Sequence, residues 1–334
     1  MATRADVAKL AGVSESTVSY VLSGKRPIGD ATRRRVLDAI DQVGYKSNYA
    51  ATALAGGKPR MVTMMISNLF STPSSRIVGA LVDGIVDGVR DAGFHSVIWP
   101  VTEDDDSDVD LLINSNFSGG VILMNVKEND QRVHRLHQEK IPFVVLGRTN
   151  VGFSYNFVDR DFEEVYRIAL SHLKDQGHTT IGLMFTDHPV RDSLKKVAAQ
   201  LKVKLVRINT PDTLEGGAQI AKDFKMSFPD VTAIVSLLDA AAIGFTNAAE
   251  GFGLAIPRDV SIIAVNMLEN QAENSIPPIT TVAFNAYELA KSCGSMMVEI
   301  IESDKGKKLH KTQLWVGDLI DRGSTAQFSG RKRS

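Results

Sequence analysis

Val7–Leu22 reads VAKLAGVSESTVSYVL. Val7, Ala8, Leu10 and Ala11 fall on one face at helical spacing. Gly12 ends that helix, because only glycine takes the left-handed backbone without cost. Ser14 follows as an N-cap whose hydroxyl can accept a backbone N–H. A second helix then buries Val18, Val21 and Leu22 and shows Glu15, Ser16, Thr17, Ser19 and Tyr20 on its other face. Two short helices joined by a tight glycine-containing turn make a helix-turn-helix, whose second helix normally enters the DNA major groove. Small hydroxyl residues suit that position, since they reach phosphates and base edges without holding the helix away. A third helix follows Asp30 in DATRRRVLDAIDQVGY, where Val36, Leu37, Ile40 and Val43 would close a small core.

The chain around this stretch is long enough for two or three domains, with 334 residues set against roughly 100–200 per domain. Its charge is uneven. Residues 1–60 carry ten basic against five acidic side chains, net +5, which leaves −6 on the rest of a chain whose total is −1. A basic head on an acidic body suggests a polyanion partner, although charge alone fits a solvated helical surface equally well. The N-terminus has no signal-peptide pattern and the chain no apolar run of about 18 residues, so a cytoplasmic protein is expected. The single cysteine, Cys293, can form no internal disulfide and reads as a small buried apolar residue.

From Met61 onward, short apolar runs alternate with helix-sized intervals: VTMMI, HSVIW, GVILM and PFVVLG, then TIGLMF, KLVRI, TAIVS and SIIAV. This is the pattern of parallel strands buried on both faces and joined by crossover helices. Two sets of about four strands predict two similar lobes, with the switch near Phe157–Arg160. Ligands in such folds bind beyond the carboxyl ends of the strands, here in a cleft between the lobes. The fold class is therefore α/β: a small all-α helix-turn-helix head plus two doubly wound parallel lobes.

DVAKLAGVSESTVSYVLSGKRPI followed by TRRRVLDAIDQVGYKSN resembles, without a gap over about fifty residues, the DNA-binding domain of the LacI/GalR family of bacterial transcription repressors. Weaker likeness runs through FVDRDFEEVYRIALSHLKDQGHTTIGLM, LAIPRDVSIIAV, IPPITTVAFNAYELAKSC and LIDRGSTA, so that it covers nearly the whole chain. The resemblance implies a body folded like periplasmic sugar-binding proteins, a homodimer on a pseudo-palindromic operator of double-stranded DNA, and a small effector, often a sugar. It implies three parts: a headpiece at 1–46, a hinge helix and linker at 47–60, and an effector and dimerisation domain at 61–330. Lobe one would take about 61–157 plus 285–316, and lobe two about 158–284 plus 317–330.

In SNYAATALAGGK, the residues Asn48, Ala51 and Leu54 match the family's hinge helix, where a leucine wedges into the minor groove. Ser47 replaces the usual proline there, and Thr52 stands where many members have arginine. The candidate DNA contacts are Arg4, Ser14, Glu15, Ser16, Thr17, Ser19, Tyr20, Thr32, Tyr45, Asn48, Ala51 and Leu54. For the effector, Arg191 matches a family arginine that grips the ligand. Asn266 stands where aspartate is usual, and the lost charge makes an anionic effector more plausible than in a typical member. Asp239 matches the aspartate of an Asn-Asp pair whose asparagine is here Leu238; a helix N-cap is its favoured role over ligand contact. Ser71, Ser75, Trp99 and Arg148 complete the candidate set, and Asp159 reads as a cap of the next helix. A neutral saccharide is the favoured effector, because no second cationic cluster is expected in the cleft.

Other signals are weaker. Neither glycine-rich phosphate motif occurs. His134 and His137 are spaced i, i+3 but have no further matched pair, so no metal and no cofactor is expected. TEDDDSDVD lacks the glycine and the final glutamate of a calcium loop and reads as an exposed loop and helix start. A transport receptor would share the body but have no use for the head. An enzyme of this fold would need a converging acid/base or nucleophile set, and none is found. The sequence thus points to a non-enzymatic, allosteric transcriptional repressor of carbohydrate genes, with a corepressor-dependent regulator taking a non-sugar effector as the alternative.

Overall fold

The computed structural model describes residues 2–23, 26–45, 59–67, 75–101, 107–115, 117–186, 192–303 and 310–328. The chain divides into two compact units, Met1–Met61 with Asp110–Gly119, and Val62–Val109 with Gly120–Ser334.

In the first unit, α1 (Arg4–Ala11), α2 (Glu15–Ser23) and α3 (Asp30–Val43) are set by local signals. Thr3 and Asp6 form a reciprocal capping box on α1, and Gly12 closes it at φ 63°. Ser14 Oγ accepts from Thr17 N at 3.2 Å and caps α2 as expected. The third helix begins at Asp30 itself, after Gly29, and Gly44 ends it at φ 62°. Val7, Ala8, Ala11, Val18, Val21, Val36 and Ala39 form the core, with Ile40, Val43 and Tyr45 packed against it. Three expected core leucines do not join it: Leu10, Leu22 and Leu37 are 51%, 40% and 44% exposed. Leu37 lies one residue past Val36, about 100° around the helix, and that turns it out of the stripe that Val36, Ala39 and Val43 share.

After the three head helices the chain runs β1 (Met61–Ser67), α4 (Ser75–Arg90), β2 (His95–Val101), α5 (Ser107–Ser115), β3 (Gly120–Met124), α6 (Gln131–Gln138), β4 (Phe143–Leu146) and β5 (Phe157–Arg160). It continues with α7 (Phe162–Asp175), β6 (Thr180–Phe185), α8 (Asp192–Leu201), β7 (Lys204–Asn209), α9 (Leu214–Ser227), β8 (Ala233–Ser236), α10 (Asp239–Ala249) and β9 (Ser261–Ala264). Then come α11 (Glu269–Glu273), β10 (Thr280–Ala283), α12 (Ala286–Glu302), β11 (Thr312–Trp315) and β12 (Asp318–Ile320). Two six-stranded sheets result, ordered β11-β5-β4-β3-β1-β2 and β12-β10-β9-β8-β6-β7.

All eight apolar runs became strands. Four further strands escaped the pattern: β5, β10, β11 and β12 are three or four residues long and set only two apolar residues each beside Asp, Arg, Thr or Gln. One of them, β12, pairs antiparallel with β10 at the edge of an otherwise parallel sheet. The expectation of burial on both faces holds for central β3 and β8 but not for the edge strands, where His95, Ile98 and Pro100 of β2 and Lys204, Arg207 and Asn209 of β7 are exposed.

The first crossing between sheets comes after Arg160 rather than at 157/158, because β5 pairs with β4 and β11 in the first sheet. Beyond it, α7 buries Val165, Tyr166, Ala169, Leu170 and Leu173 against the second sheet. Each fully buried leucine there contributes about 1.5–3 kcal/mol. The chain returns after Ala283 through α12, which packs Leu289, Ala290, Cys293 and Met297 into the first core. It crosses a third time between Trp315 and Asp318. Gly317 is required there, since a Cβ would lie 1.6 Å from Ala283 O. Burial pushes the Cys293 thiol up, as suits an apolar core residue. Among the described residues, no helix is long and apolar enough to cross a membrane.

Candidate functional site

On the head, Glu15 and Ser16 are exposed at the start of α2, with Thr17, Ser19 and Tyr20 half-buried behind them. The hydroxyls form a local set: Ser14 Oγ lies 2.7 Å from Ser16 Oγ and 2.9 Å from Thr17 Oγ1. Ser14 is thereby engaged in the turn. The Arg26 guanidinium lies 5.6 Å from the centre of the Tyr20 ring. Arg4 opens α1 half-buried, and its Nε has no partner. Thr32 sits half-buried on α3 beside exposed Arg33, Arg34 and Arg35. Tyr45 packs against the head's core. Asn48, Ala51 and Leu54, with Ser47 and Thr52, lie outside the described residues.

In the body, the carboxyl ends of the two sheets face a cavity of about 240 Å³. Ile77, Leu81, Leu146, Phe162, Leu237, Phe284 and Leu289 supply its apolar wall; Asp159, Arg160, Asp212, Asp239 and Asn266 supply its polar groups. Arg160 joins the two sheets. From the end of β5 its Nη1 donates to Val265 O at 2.7 Å and to Asn266 Oδ1 at 2.9 Å, and Nη2 donates to Val282 O at 3.4 Å. The guanidinium stacks 3.9 Å from the Phe284 ring centre. It is 5% exposed, and burial lowers its pKa to about 10, so it remains a cation at neutral pH.

Two expected caps are corrected. Asp239 is the first residue of α10, and Leu238 stands at the cap position with no side-chain hydrogen bond. Asp212 caps that helix from 28 residues away: its Oδ1 accepts from Ala240 N at 2.9 Å and Ala241 N at 3.2 Å. Asp239 is left 7% exposed, with Oδ1 buried and unpartnered. Burial, reinforced by the Asp212 carboxylate and opposed by Arg160, pushes the Asp239 carboxyl up to about 7. The second correction concerns Asp159: Asp161 caps α7, while Asp159 Oδ2 accepts from Arg148 Nε at 2.7 Å.

Of the candidate effector residues, Asn266 and Asp239 line the cavity together. Asn266 is already bonded at both ends, since its Nδ2 donates to Leu237 O at 3.2 Å. Arg148 reaches the cavity through Asp159. Trp99 lies on the edge strand β2 and is not in the cavity wall. Arg191 and Ser71 lie outside the described residues, as does the side chain of Ser75. Arg160, Asp212 and Phe284 were missed. Their signal was position: each follows or ends a strand at the carboxyl edge of its sheet, where such folds place their ligands. Three carboxyl groups, of Asp159, Asp212 and Asp239, stand in the wall beside the Arg160 guanidinium. His134 and His137 do other work: His134 Nε2 bonds Asn129 Oδ1 at 2.8 Å, and His137 stacks on Phe153 at 4.0 Å.

Residues 3–48 match the family described as bacterial regulatory proteins, lacI family, and residues 170–325 match a periplasmic binding protein-like domain. The HTH-type transcriptional regulator MalR of Streptomyces coelicolor is 27% identical, with 99% of both chains covered. The chain belongs to the LacI family. Its fold matches a lac repressor dimer bound to operator and the anti-inducer ONPF with TM-score 0.78, at 21% identity and over 97% of this chain and 99% of that one. It also matches a complex of the transcriptional regulator CelR with cellobiose, TM-score 0.66 at 21% identity, over 97% and 100% of the two chains. As a LacI-family member the protein is a non-enzymatic, DNA-binding transcriptional regulator with an effector-binding domain.

Proposed function

We propose that the protein is a repressor of carbohydrate-utilisation genes that acts in the cytoplasm as a homodimer on a pseudo-palindromic operator, and whose DNA affinity is set by a small neutral saccharide. Residues 1–46 act as the headpiece, 47–60 as the hinge and 61–330 as the effector and dimerisation domain. Glu15, Ser16 and Tyr20 read base edges: the carboxylate can accept from cytosine N4, and the phenol can meet a thymine methyl or a phosphate. Leu54 wedges into the minor groove.

The observation that carries the effector reading is the cavity itself. It is mostly apolar, holds a few convergent polar groups, and lies between two sheets that Arg160 ties together. A ligand that bridges both sheets favours one angle between them, and it shifts the equilibrium only by its differential affinity for the two angles. The cellobiose held by CelR is a neutral saccharide, in keeping with this reading.

Sequence-selective DNA binding by the purified protein, measured with and without neutral saccharides, tests the proposal. Selective binding that one saccharide strengthens or weakens is the expected result. Binding with no sequence preference, or selective binding indifferent to every saccharide, overturns it.

A further inference from the structure

Most polar atoms around the cavity already have partners. Asn266 is bonded at both ends, Asp212 Oδ1 holds two backbone N–H groups of α10, and Asp159 holds Arg148. Two groups stand out because they are deeply buried yet incomplete. One is the acceptor Asp239 Oδ1; the other is the donor Arg160 Nε. Both side chains are more than nine-tenths buried, and both line the cavity. A buried polar atom left without a partner keeps its desolvation penalty, so a ligand group that satisfies it is favoured over one that cannot.

The two vacancies are of opposite kind, and this selects the ligand's chemistry. A carboxylate or phosphate ligand offers acceptors only, which would suit Arg160 but face Asp159, Asp212 and Asp239. An ammonium offers donors only, which would suit Asp239 but face the Arg160 guanidinium. A hydroxyl both donates and accepts. Neighbouring hydroxyls on one uncharged ring can therefore answer both atoms, while the apolar wall of Leu81, Phe162, Leu237 and Phe284 covers the ring's C–H faces.

We propose that Asp239 and Arg160 form the hydroxyl-reading subsite of the cleft, with a ligand hydroxyl donating to Asp239 Oδ1 and the same or an adjacent hydroxyl accepting from Arg160 Nε. This rests on reading the cleft as the effector site, and it names the residues that restrict that site to uncharged polyhydroxylated ligands. The chemistry has a second consequence. The charged groups facing Asp239 are Asp212, from the segment between β7 and α9, and Arg160, from β5; no histidine is among the described residues of the wall. The ligand-free carboxyl, pushed up to about 7, is partly protonated near neutrality, and a donating hydroxyl binds the ionised form better. Effector binding therefore releases a proton from Asp239 to solvent and weakens as pH falls through 7.

The test is calorimetric titration of the full-length protein with glucose, maltose, cellobiose, trehalose and sucrose, and with glucose 6-phosphate and glucosamine as charged counterparts. Wild type, D239A and D239N are compared at about pH 6 and about pH 8. The expected result is binding of at least one neutral saccharide, weaker at the lower pH. D239A should lose roughly tenfold or more in affinity. D239N should lose less and show no pH dependence; being nearly isosteric, it carries the test if D239A does not fold. Equal saccharide affinity in wild type and both variants overturns the subsite while leaving the saccharide reading intact. Binding of glucose 6-phosphate or glucosamine alone, or of no member of the panel, overturns the saccharide reading and the subsite with it.

Discussion

The head and the cleft are stabilised over different distances along the chain. In the head, the contacts that place α1 and α2 span three residues: Thr3 with Asp6, and Ser14 with Thr17. In the cleft they span far more. Arg160 reaches Val265, Asn266 and Val282 across 105, 106 and 122 residues, and Asp212 caps a helix 28 residues on. The head's helix ends are thus each an isolated local event, while the cleft's polar groups depend on one another. A change in the head should stay local; a change in the cleft should propagate.

The largest expected effect is that of Arg160→Ala. It leaves two carbonyls and Asn266 Oδ1 without their donor inside the fold. Each buried acceptor left without its donor costs about 1–3 kcal/mol, and here three lose theirs together. Urea unfolding should show that loss; a loss below about 1 kcal/mol, the scale of a helix cap, would erase the contrast between the two regions.

Next comes the pH dependence of stability. Asp239 has its folded pKa raised to about 7 from 3.8, so the folded state binds the proton more tightly than the unfolded chain does. Stability is therefore highest below the unfolded value and falls as pH rises toward 7. Between about pH 5 and pH 8 the wild type should lose on the order of 3 kcal/mol through this group. Asp239→Asn should remove that part of the dependence. Parallel stability curves for the two proteins across this range would refute the buried, unpaired state of Asp239.

A Glu15→Gln, Ser16→Ala variant probes the head's outward face. Each correct base contact is worth roughly 1–3 kcal/mol of discrimination, so selection of preferred sites should return a shifted half-site. An unchanged consensus would move specificity away from the start of α2. The smallest effect is expected from Ser14→Ala, which removes one cap and should cost about 1 kcal/mol of head stability with cleft stability untouched. Domain-resolved hydrogen exchange measures both; a loss of protection in the body would show that the head's caps are not local.

The head was largely legible because capping, turn and periodicity signals act between near neighbours. Thr3, Gly12, Ser14 and Gly44 each set a helix end through its own flanking residues. Even there, the number of apolar positions exceeded what the core could hold: Leu10, Leu22 and Leu37 have the right residue type in the wrong helical phase. In the body, the eight apolar runs announced the central strands, since a strand buried on both faces must be continuously apolar. The short mixed strands β5, β10, β11 and β12 carried no such mark, and they are the ones flanking the crossings between sheets.

The helix-turn-helix, the alternation that builds two parallel sheets, and the family to which both belong are all written in the order of the residues. It could also nominate Asp239 and Asn266 from their positions. Their partners, however, depend on how the folded chain brings distant segments together. Asp239 looked like a cap because it begins a helix, and it is free because Asp212, distant in sequence, occupies the cap instead. Asn266 looked free and is bonded at both ends, while Arg160, in a strand with no apolar signature, joins the two sheets. A side chain's chemistry is written in its residue type, but the partners that satisfy a buried group come from wherever the fold brings the backbone, and in the cleft that is dozens to more than a hundred residues away.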